Sequence, residues 1–171
     1  SPGGATGEET YCLAILIDEA LQERCEEHNV RVFATDVHPA SLATASRAAY
    51  SHESLADVDP ERLERYFRLV DGEYHIAKEI RKMVVFAPHN LFKDAPFTKL
   101  DLISCRNLLI YLDPYAQKRA LSLMHFGLRA GGVLFLGPSE TIGPLDDEFE
   151  SIDRQWRIFR KKSDRRLSDT F

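Results

Sequence analysis

The stretch "GGATGEETYCLAI", Gly3 to Ile15, decides the fold, because a glycine turn runs directly into an apolar helix. Glycine-rich strand-to-helix turns usually hold phosphate groups in nucleotide-binding α/β proteins. Here two carboxylates, Glu8 and Glu9, stand at the mouth of the turn, where they would repel a diphosphate. The turn also lacks the P-loop lysine and the spaced G-x-G-x-x-G pattern. The stretch therefore predicts an α/β fold and disfavours NAD or ATP as the ligand.

The helix that follows the turn carries its own start signal. Apolar residues recur at helical spacing and predict a helix from Thr6 to about His28. The order Thr6, Gly7, Glu8, Glu9 matches a capping box, with Thr6 as the N-cap and Glu9 at the third helical position. Glu9 therefore has two interpretations, a helix cap and a ligand contact. They are compatible, since one carboxylate oxygen can cap while the other faces a ligand.

Strands and helices alternate along most of the chain, a rhythm that predicts a parallel α/β sheet. The strand at Leu100–Ser104 is apolar enough to be buried on both faces. Gly131 is expected to end the last helix. The predicted elements are strands at Arg31–Thr35, Met83–Ala87, Leu100–Ser104 and Val133–Gly137, helices at Pro39–Ala48 and Pro114–Arg129, and a closing antiparallel hairpin of Phe149–Asp153 with Trp156–Arg160.

The middle of the chain interrupts this rhythm. Asp59 and Pro60 start a short helix, and Asp71-Gly72 then stands between two short strand patterns, which is a strong hairpin signal. We interpret the segment of roughly 54–82 as a small β-subdomain inserted into the α/β domain.

Composition limits the partners of the protein. The chain has 171 residues, which suits one domain, and its net charge of −5 gives no footprint for nucleic acid or an anionic membrane. Its three cysteines lack metal-ligand spacing and fit free thiols in a reducing cytoplasm. The chain contains neither an apolar run of about 18 residues nor a signal-peptide pattern, so we expect no membrane insertion.

Polar residues follow the predicted strands at the edge where ligands of open α/β sheets bind. Asp36 ends its strand, and a carboxylate there can accept hydrogen bonds from the hydroxyls of a ribose. Asp36 could equally be a helix N-cap beside Pro39. Asn90 and Asn107 each offer a donor and an acceptor, as an adenine edge or a zwitterion requires. Each asparagine could equally be a loop or capping residue.

A cationic nucleoside resolves the conflict between a nucleotide-type turn and its two acids. S-adenosylmethionine carries a ribose, an adenine, a sulfonium and an ammonium group, and it has no phosphate. Carboxylates near its positive groups are favourable. The residues therefore favour this cofactor.

Several stretches together identify a known family. "PGGATGEETYCLAI", "VFATDVHPASLATA", "APHNLF", "DLISCRNLLIYLD" and "GGVLFLGPSE" resemble, in this order, the CheR family of methyltransferases, which esterify glutamates of bacterial chemotaxis receptors. The resemblance covers roughly residues 2–160. The phrase "LLIYLDPYAQKRAL…GPSETIG…DRQWRIFRK" looks most like the methyltransferase domain of hybrid sensory proteins that also carry a methylesterase and PAS segments.

The resemblance implies a class I methyltransferase fold, with a Rossmann-like sheet, helices on both faces and S-adenosylmethionine at the strand ends. It implies no metal, and in some members the β-subdomain docks the tail peptide of a receptor. Tyr111 matches a tyrosine near the transferred methyl group, although simple helix packing would also explain it. Tyr111 and Arg106 are the implied catalytic residues. The implied cofactor-binding residues are Gly3, Thr6, Glu9, Asp36, Asn90, Leu91, Arg106 and Asn107.

The sequence also departs from the family. Complete members have an N-terminal helical domain and a first strand directly before the "PGG" turn, and nothing in residues 1–171 corresponds to them. We therefore expect a methyltransferase core with its first strand missing. The alternative function is a non-catalytic module that binds S-adenosylmethionine or partner proteins within a larger signalling protein. A small-molecule or nucleic-acid methyltransferase is disfavoured by the acidic charge and the lack of an N-P-P-Y-type motif.

Overall fold

The structure, a computed structural model, describes residues 7–165 and Leu167. Gly3 and Thr6, both predicted to touch the cofactor, lie outside the described residues. The chain divides into two compact units, the first ending at Pro88 and the second beginning at His89.

The first unit combines a parallel strand pair with a small antiparallel sheet. Its elements are α1 (Glu8–Glu23), β1 (Val32–Asp36), α2 (Pro39–Arg47), β2 (Ala49–Tyr50), a 3₁₀ turn (Glu53–Leu55), α3 (Pro60–Tyr66), β3 (Phe67–Val70), β4 (Glu73–Ile76), α4 (Lys78–Met83) and β5 (Val84–Pro88). Strand β1 pairs in parallel with β5, in a register that sets Asp36 opposite Pro88. The antiparallel sheet has the order β2-β4-β3.

The start of α1 differs from the predicted capping box. The N-cap is Gly7, which has no side chain to cap with, and the first helical residue is Glu8. Gly7 has a left-handed φ of 84°, and a Cβ there would lie 2.8 Å from the Cβ of Ala45. The backbone conformation and this close approach to α2 both require glycine. The helix also ends earlier than predicted, at Glu23, because Cys25 takes a left-handed φ of 53°.

Aromatic side chains form much of the core of the first unit. The Tyr11 ring meets Tyr50 and Phe86 edge to face, with centroids 6.3 and 5.8 Å apart. The Tyr11 hydroxyl donates to the carbonyl of Ala45 at 3.2 Å and so ties α1 to α2. Burial raises the pKa of Tyr11 to about 12, opposed in part by the charge of Arg81, so the hydroxyl stays a donor at neutral pH.

The predicted hairpin is confirmed. Asp71 and Gly72 both have positive φ, 50° and 84°, as a two-residue turn between right-twisted strands requires. The helix before it starts as predicted, because the carboxylate of Asp59 accepts hydrogen bonds from the amides of Glu61 and Arg62. These elements depend on signals within a few residues of one another.

The second unit is a four-stranded mixed sheet packed against one long helix. Its elements are β6 (Leu100–Cys105), a 3₁₀ turn (Leu109–Tyr111), α5 (Pro114–Gly127), β7 (Leu128–Leu136), a second 3₁₀ segment (Gly143–Glu148), β8 (Phe149–Asp153) and β9 (Ile158–Lys161). The strand order is β6-β7-β9-β8. Strands β6 and β7 are parallel, and β8 and β9 form the predicted antiparallel hairpin.

Gly131 does not end a helix, so this prediction was wrong. Helix α5 ends at Gly127, and Gly131 lies inside β7 with a φ of 78°, where the β6–β7 register is irregular. Its left-handed backbone therefore forms an irregularity of the sheet. A residue of β9 stabilises the end of α5: the buried Lys161 ammonium donates to the carbonyls of His125 (2.8 Å) and Leu128 (2.7 Å).

Strand β6 is buried only in its second half, so burial on both faces was also wrong. Asp101 and Leu102 are exposed, and Asp101 pairs with the exposed Arg129. Ile103 and Cys105 lie in the hydrophobic core with residues of α5 and β7. The first half of the strand lies where the pairing with β7 is irregular, which explains its exposure.

The three cysteines are free thiols in different surroundings. Cys12 and Cys25 are exposed, whereas Cys105 is fully buried in the second unit. No helix in the described part of the chain has the length and hydropathy that a membrane span requires.

Candidate functional site

Asp36 lies at the carboxyl end of the parallel strand β1, where the sequence predicted a ligand carboxylate. Its side chain is 9% exposed, and Oδ1 accepts a hydrogen bond from the amide of His38 at 2.8 Å. The N-cap of α2 is His38. The N-cap interpretation of Asp36 is therefore wrong, and the carboxylate instead closes a local turn through one oxygen.

The first turn of α1 carries the two acids that raised the question of the ligand. Glu8 is exposed and Glu9 is half-buried, at the helix end where the macrodipole favours negative charge. Their field extends to Cys12, which is exposed as a residue but has a partly desolvated thiol: this desolvation first, and the charges of Glu8 and Glu9 second, raise its pKa. This end of α1 therefore favours a cationic group over an anionic one.

In the second unit, Asn90 is half-buried in the loop after β5 and organises it. Its side-chain oxygen Oδ1 accepts a hydrogen bond from the main-chain amide of Phe92 at 3.0 Å. Its main-chain amide donates to the carboxylate of Asp94 at 2.7 Å. The interpretation of Asn90 as a loop residue is thus correct for its side-chain oxygen, which bonds within the loop. The neighbouring Leu91 packs against the core of this unit.

Arg106 follows directly after β6 and is half-buried. Its guanidinium lies over the ring of Phe135 in β7, 4.7 Å from the ring centroid. This stacking holds the cation at the carboxyl end of the strands.

Asn107 has an uncommon backbone. Its φ is 56°, a left-handed value that asparagine tolerates better than most residues. The register that pairs Cys105 with Leu136 brings Gly137 beside it. A Cβ on Gly137 would lie 2.7 Å from Asn107 Oδ1 and 2.9 Å from the Asn107 amide nitrogen. The two strand ends therefore meet so closely that only glycine fits at position 137.

Glu140 is a site residue that the sequence interpretation missed. Its carboxylate is 3% exposed and accepts four main-chain hydrogen bonds. Oε2 accepts hydrogen bonds from the main-chain amides of Gly137 (2.7 Å) and Asn107 (3.1 Å). Oε1 accepts from those of Leu108 (2.8 Å) and Leu109 (2.7 Å). The stretch "GPSE" contains this residue, but its spacing gives no sign that it binds a loop more than 30 residues earlier.

Tyr111 closes the 3₁₀ turn that begins at Leu109. Its side chain is 79% exposed, so helix packing does not account for it. The phenol is instead open to an incoming group.

The contacts of the second unit join Asn107, Gly137 and Glu140, whereas Asn90 organises a loop of its own. Asp36 and Glu9 belong to the first unit. Taken within each unit, these groups are of types that can bind parts of a nucleoside: a carboxylate can accept from hydroxyls, and an amide can pair with a base edge. Among the described residues, no cluster of His, Cys, Asp and Glu could hold a metal ion.

The fold is that of an α/β domain with parallel strand pairs in both units. The family described as "CheR methyltransferase, SAM binding domain" matches residues 1–158. The chain belongs to this family. S-adenosylmethionine is its cofactor.

Three relatives show where such a chain occurs. An "Uncharacterized 104.1 kDa protein in hypE 3'region" of Rhodobacter capsulatus is 44% identical over 92% of this chain, which spans 17% of that protein. "Chemotaxis protein methyltransferase 2" of Vibrio cholerae is 34% identical over 85% of this chain and 51% of its own length. "Chemotaxis protein methyltransferase 1" of Pseudomonas aeruginosa is 33% identical over 86% and 56%. The chain thus spans little more than half of either chemotaxis enzyme.

Proposed function

We propose that the chain is the cofactor-binding core of a cytoplasmic O-methyltransferase that esterifies glutamate side chains of chemotaxis receptors or related signalling proteins. The similarity to chemotaxis protein methyltransferases over 85% and 86% of the chain carries this proposal. The exposed Tyr111, which follows the Arg106–Asn107 loop, gives a protein substrate access to that end of the sheet.

S-adenosylmethionine, when bound, supplies an electrophilic methyl group. The acceptor carboxylate of a glutamate has a reference pKa of about 4.3 and is already ionised at neutral pH. The chain therefore needs no general base for its proposed reaction. Its residues serve to bind, to orient and to exclude water.

The donor set suggests a role for each site residue. Asp36 would accept from the ribose hydroxyls through the oxygen that its local turn leaves available. Asn90 and Asn107 would contact polar edges of the nucleoside. Arg106, held against Phe135, would hold the carboxylate of the cofactor or of the substrate. Tyr111 would stand near the transferred methyl group.

A receptor tail peptide is proposed to bind at the antiparallel sheet of the first unit. Strand β3 is at the end of the order β2-β4-β3. Leu69 and Val70 on this strand are 63% and 49% exposed. An edge strand with exposed apolar side chains is suited to pairing with an extended peptide.

The substitution Asp36→Ala tests the cofactor assignment. It should weaken binding of S-adenosylhomocysteine about 100-fold or more, because two hydrogen bonds to a charged acceptor are lost. Calorimetric titration measures the affinity, and circular dichroism checks that the fold is intact. The control is Asp57→Ala, which removes an exposed carboxylate from the same unit. Unchanged affinity in a folded Asp36→Ala chain would contradict the ribose assignment.

A second candidate is a non-catalytic module of a larger signalling protein. The 104.1 kDa relative, of which this chain spans only 17%, supports the part of this candidate that places the domain within a larger protein. Transfer of a radiolabelled methyl group to receptor glutamates separates the two functions. The assay should include the chemotaxis protein methyltransferase 2 of Vibrio cholerae as a positive control.

A further inference from the structure

The carboxylate of Glu140 is buried and yet forms no ion pair among the contacts of its unit that the structure describes. A buried charge is costly unless hydrogen bonds replace its hydration. Glu140 meets this requirement with main-chain amides alone, from Gly137, Asn107, Leu108 and Leu109, at 2.7–3.1 Å. A residue in this setting fixes the backbone of two segments at once.

We propose that Glu140 is a positioning residue for the cofactor site, acting through the main chain of residues 107–109. This inference rests on the proposed roles of Arg106 and Asn107. Glu140 itself touches neither the cofactor nor the substrate in this proposal. It holds the loop that presents those two side chains.

The geometry explains how one side chain does this. Oε2 bridges the amides of Gly137 and Asn107 and so links the ends of β7 and β6. Oε1 binds the amides of Leu108 and Leu109, where the chain turns toward Tyr111. Between them these bonds stabilise the left-handed backbone at Asn107, whose φ is 56°. Hydrogen bonds to an ionised acceptor are about twice as strong as neutral ones.

The arrangement implies that the loop is ordered before the cofactor arrives. A loop that is already fixed loses little entropy on binding, and the affinity rises accordingly. The proposal therefore makes a statement about the ligand-free chain as well as about the complex.

The first experiment uses the full wild-type chain. Amide hydrogen exchange at residues 107–109 is measured by NMR with and without S-adenosylhomocysteine. We expect strong protection without the ligand and a change of less than about threefold on adding it, since a preformed loop already holds these amides. Rapid exchange that slows only with the ligand would show that the ligand orders the loop, and the proposal would be wrong.

The second experiment compares Glu140→Gln and Glu140→Ala. Glutamine keeps one acceptor oxygen and serves two of the four amides, whereas alanine serves none. We expect S-adenosylhomocysteine to bind about tenfold more weakly to Glu140→Gln and more weakly still to Glu140→Ala. Exchange at residues 107–109 should accelerate in the same order, while Leu134 in the core of the sheet stays protected.

The matched control is Glu150→Gln, which neutralises an exposed carboxylate near Arg160 in the same unit. Its affinity and its loop exchange should equal those of the wild type. A folded Glu140→Ala chain that binds within twofold of the wild type would overturn the positioning role while leaving the proposed function intact. A wild-type chain that does not bind the ligand would count against the proposed function, and the ligand-free exchange rates would still decide whether Glu140 orders the loop.

Discussion

The buried side-chain hydrogen bonds that tie distant segments together differ in chemistry between the two units. In the first unit a neutral group does this, since the Tyr11 hydroxyl donates to the Ala45 carbonyl across an aromatic core. In the second unit charged side chains do it. Glu140 accepts hydrogen bonds from the three amides of residues 107–109 and from that of Gly137, and Lys161 donates to two carbonyls at the end of α5.

This difference determines how each unit should respond to the loss of one side chain. Removing a neutral hydroxyl leaves one carbonyl without its partner. Removing a buried charge leaves several main-chain groups without partners, and each costs about 1–3 kcal/mol. The second unit should therefore be the more sensitive of the two to single substitutions at its ties.

Lys161→Met should have the largest effect. Lys161 is 4% exposed, and methionine fills much of its volume but cannot donate to His125 or Leu128. We expect the free energy of unfolding, measured by urea titration, to fall by about 3 kcal/mol. The control is Lys162→Met, because the neighbouring ammonium makes one exposed bond to Asp147. If the free energy of unfolding fell equally in the two variants, the buried hydrogen bonds of Lys161 would not be what stabilises this unit.

Protonation of His125 at low pH should have the next largest effect on the free energy of unfolding. Its imidazole is buried, and desolvation first and the charge of Lys161 second lower its pKa, against the opposing charges of Glu148 and Asp164. The folded state therefore resists protonation while the unfolded state accepts it below about pH 6.5. The free energy of unfolding should fall as the pH drops through this value, by up to about 1.4 kcal/mol per pH unit.

The decline should end once the pH is below the pKa of His125 in the folded state, since both states then bind the proton. The variant His125→Phe should lose this part of the pH dependence. Urea titrations from pH 7.5 to pH 4.5 measure it in both chains. A wild-type profile that matches the variant over this range would contradict the assignment.

Tyr11→Phe should have the smallest effect. The substitution keeps the ring contacts with Tyr50 and Phe86 and removes only the hydrogen bond to Ala45. We expect a loss of about 1 kcal/mol in the free energy of unfolding. Tyr115→Phe serves as the control, because that side chain is 76% exposed and should cost nothing measurable. A loss as large as that of Lys161→Met would erase the difference between the units.

A different contrast, between local and distant contacts, explains which parts of the fold the sequence predicted. The Asp71-Gly72 hairpin, the start of α2 at Pro39 and the cap of α3 by Asp59 all depend on residues within a few positions of one another. The strand that ends at Asp36 was predicted for the same reason. Local signals of this kind are visible in a single sequence.

Two of the errors arose where distant contacts decide the structure. The end of α5 was misplaced to Gly131, because a left-handed glycine signals a helix end and a strand irregularity equally well. The helix in fact ends where Lys161 meets its carbonyls, more than 30 residues away. Glu140 was missed because its partners are equally distant.

The positions of the three cysteines allow local unfolding of the second unit to be measured by thiol modification. Cys12 and Cys25 are exposed in the first unit, and Cys105 is fully buried in the second. A thiol reagent should therefore modify the first unit at once, and Cys25 before Cys12, whose raised pKa leaves less thiolate. Reaction at Cys105 must wait until the second unit opens. The rate of that third modification measures the opening directly, without any engineered label.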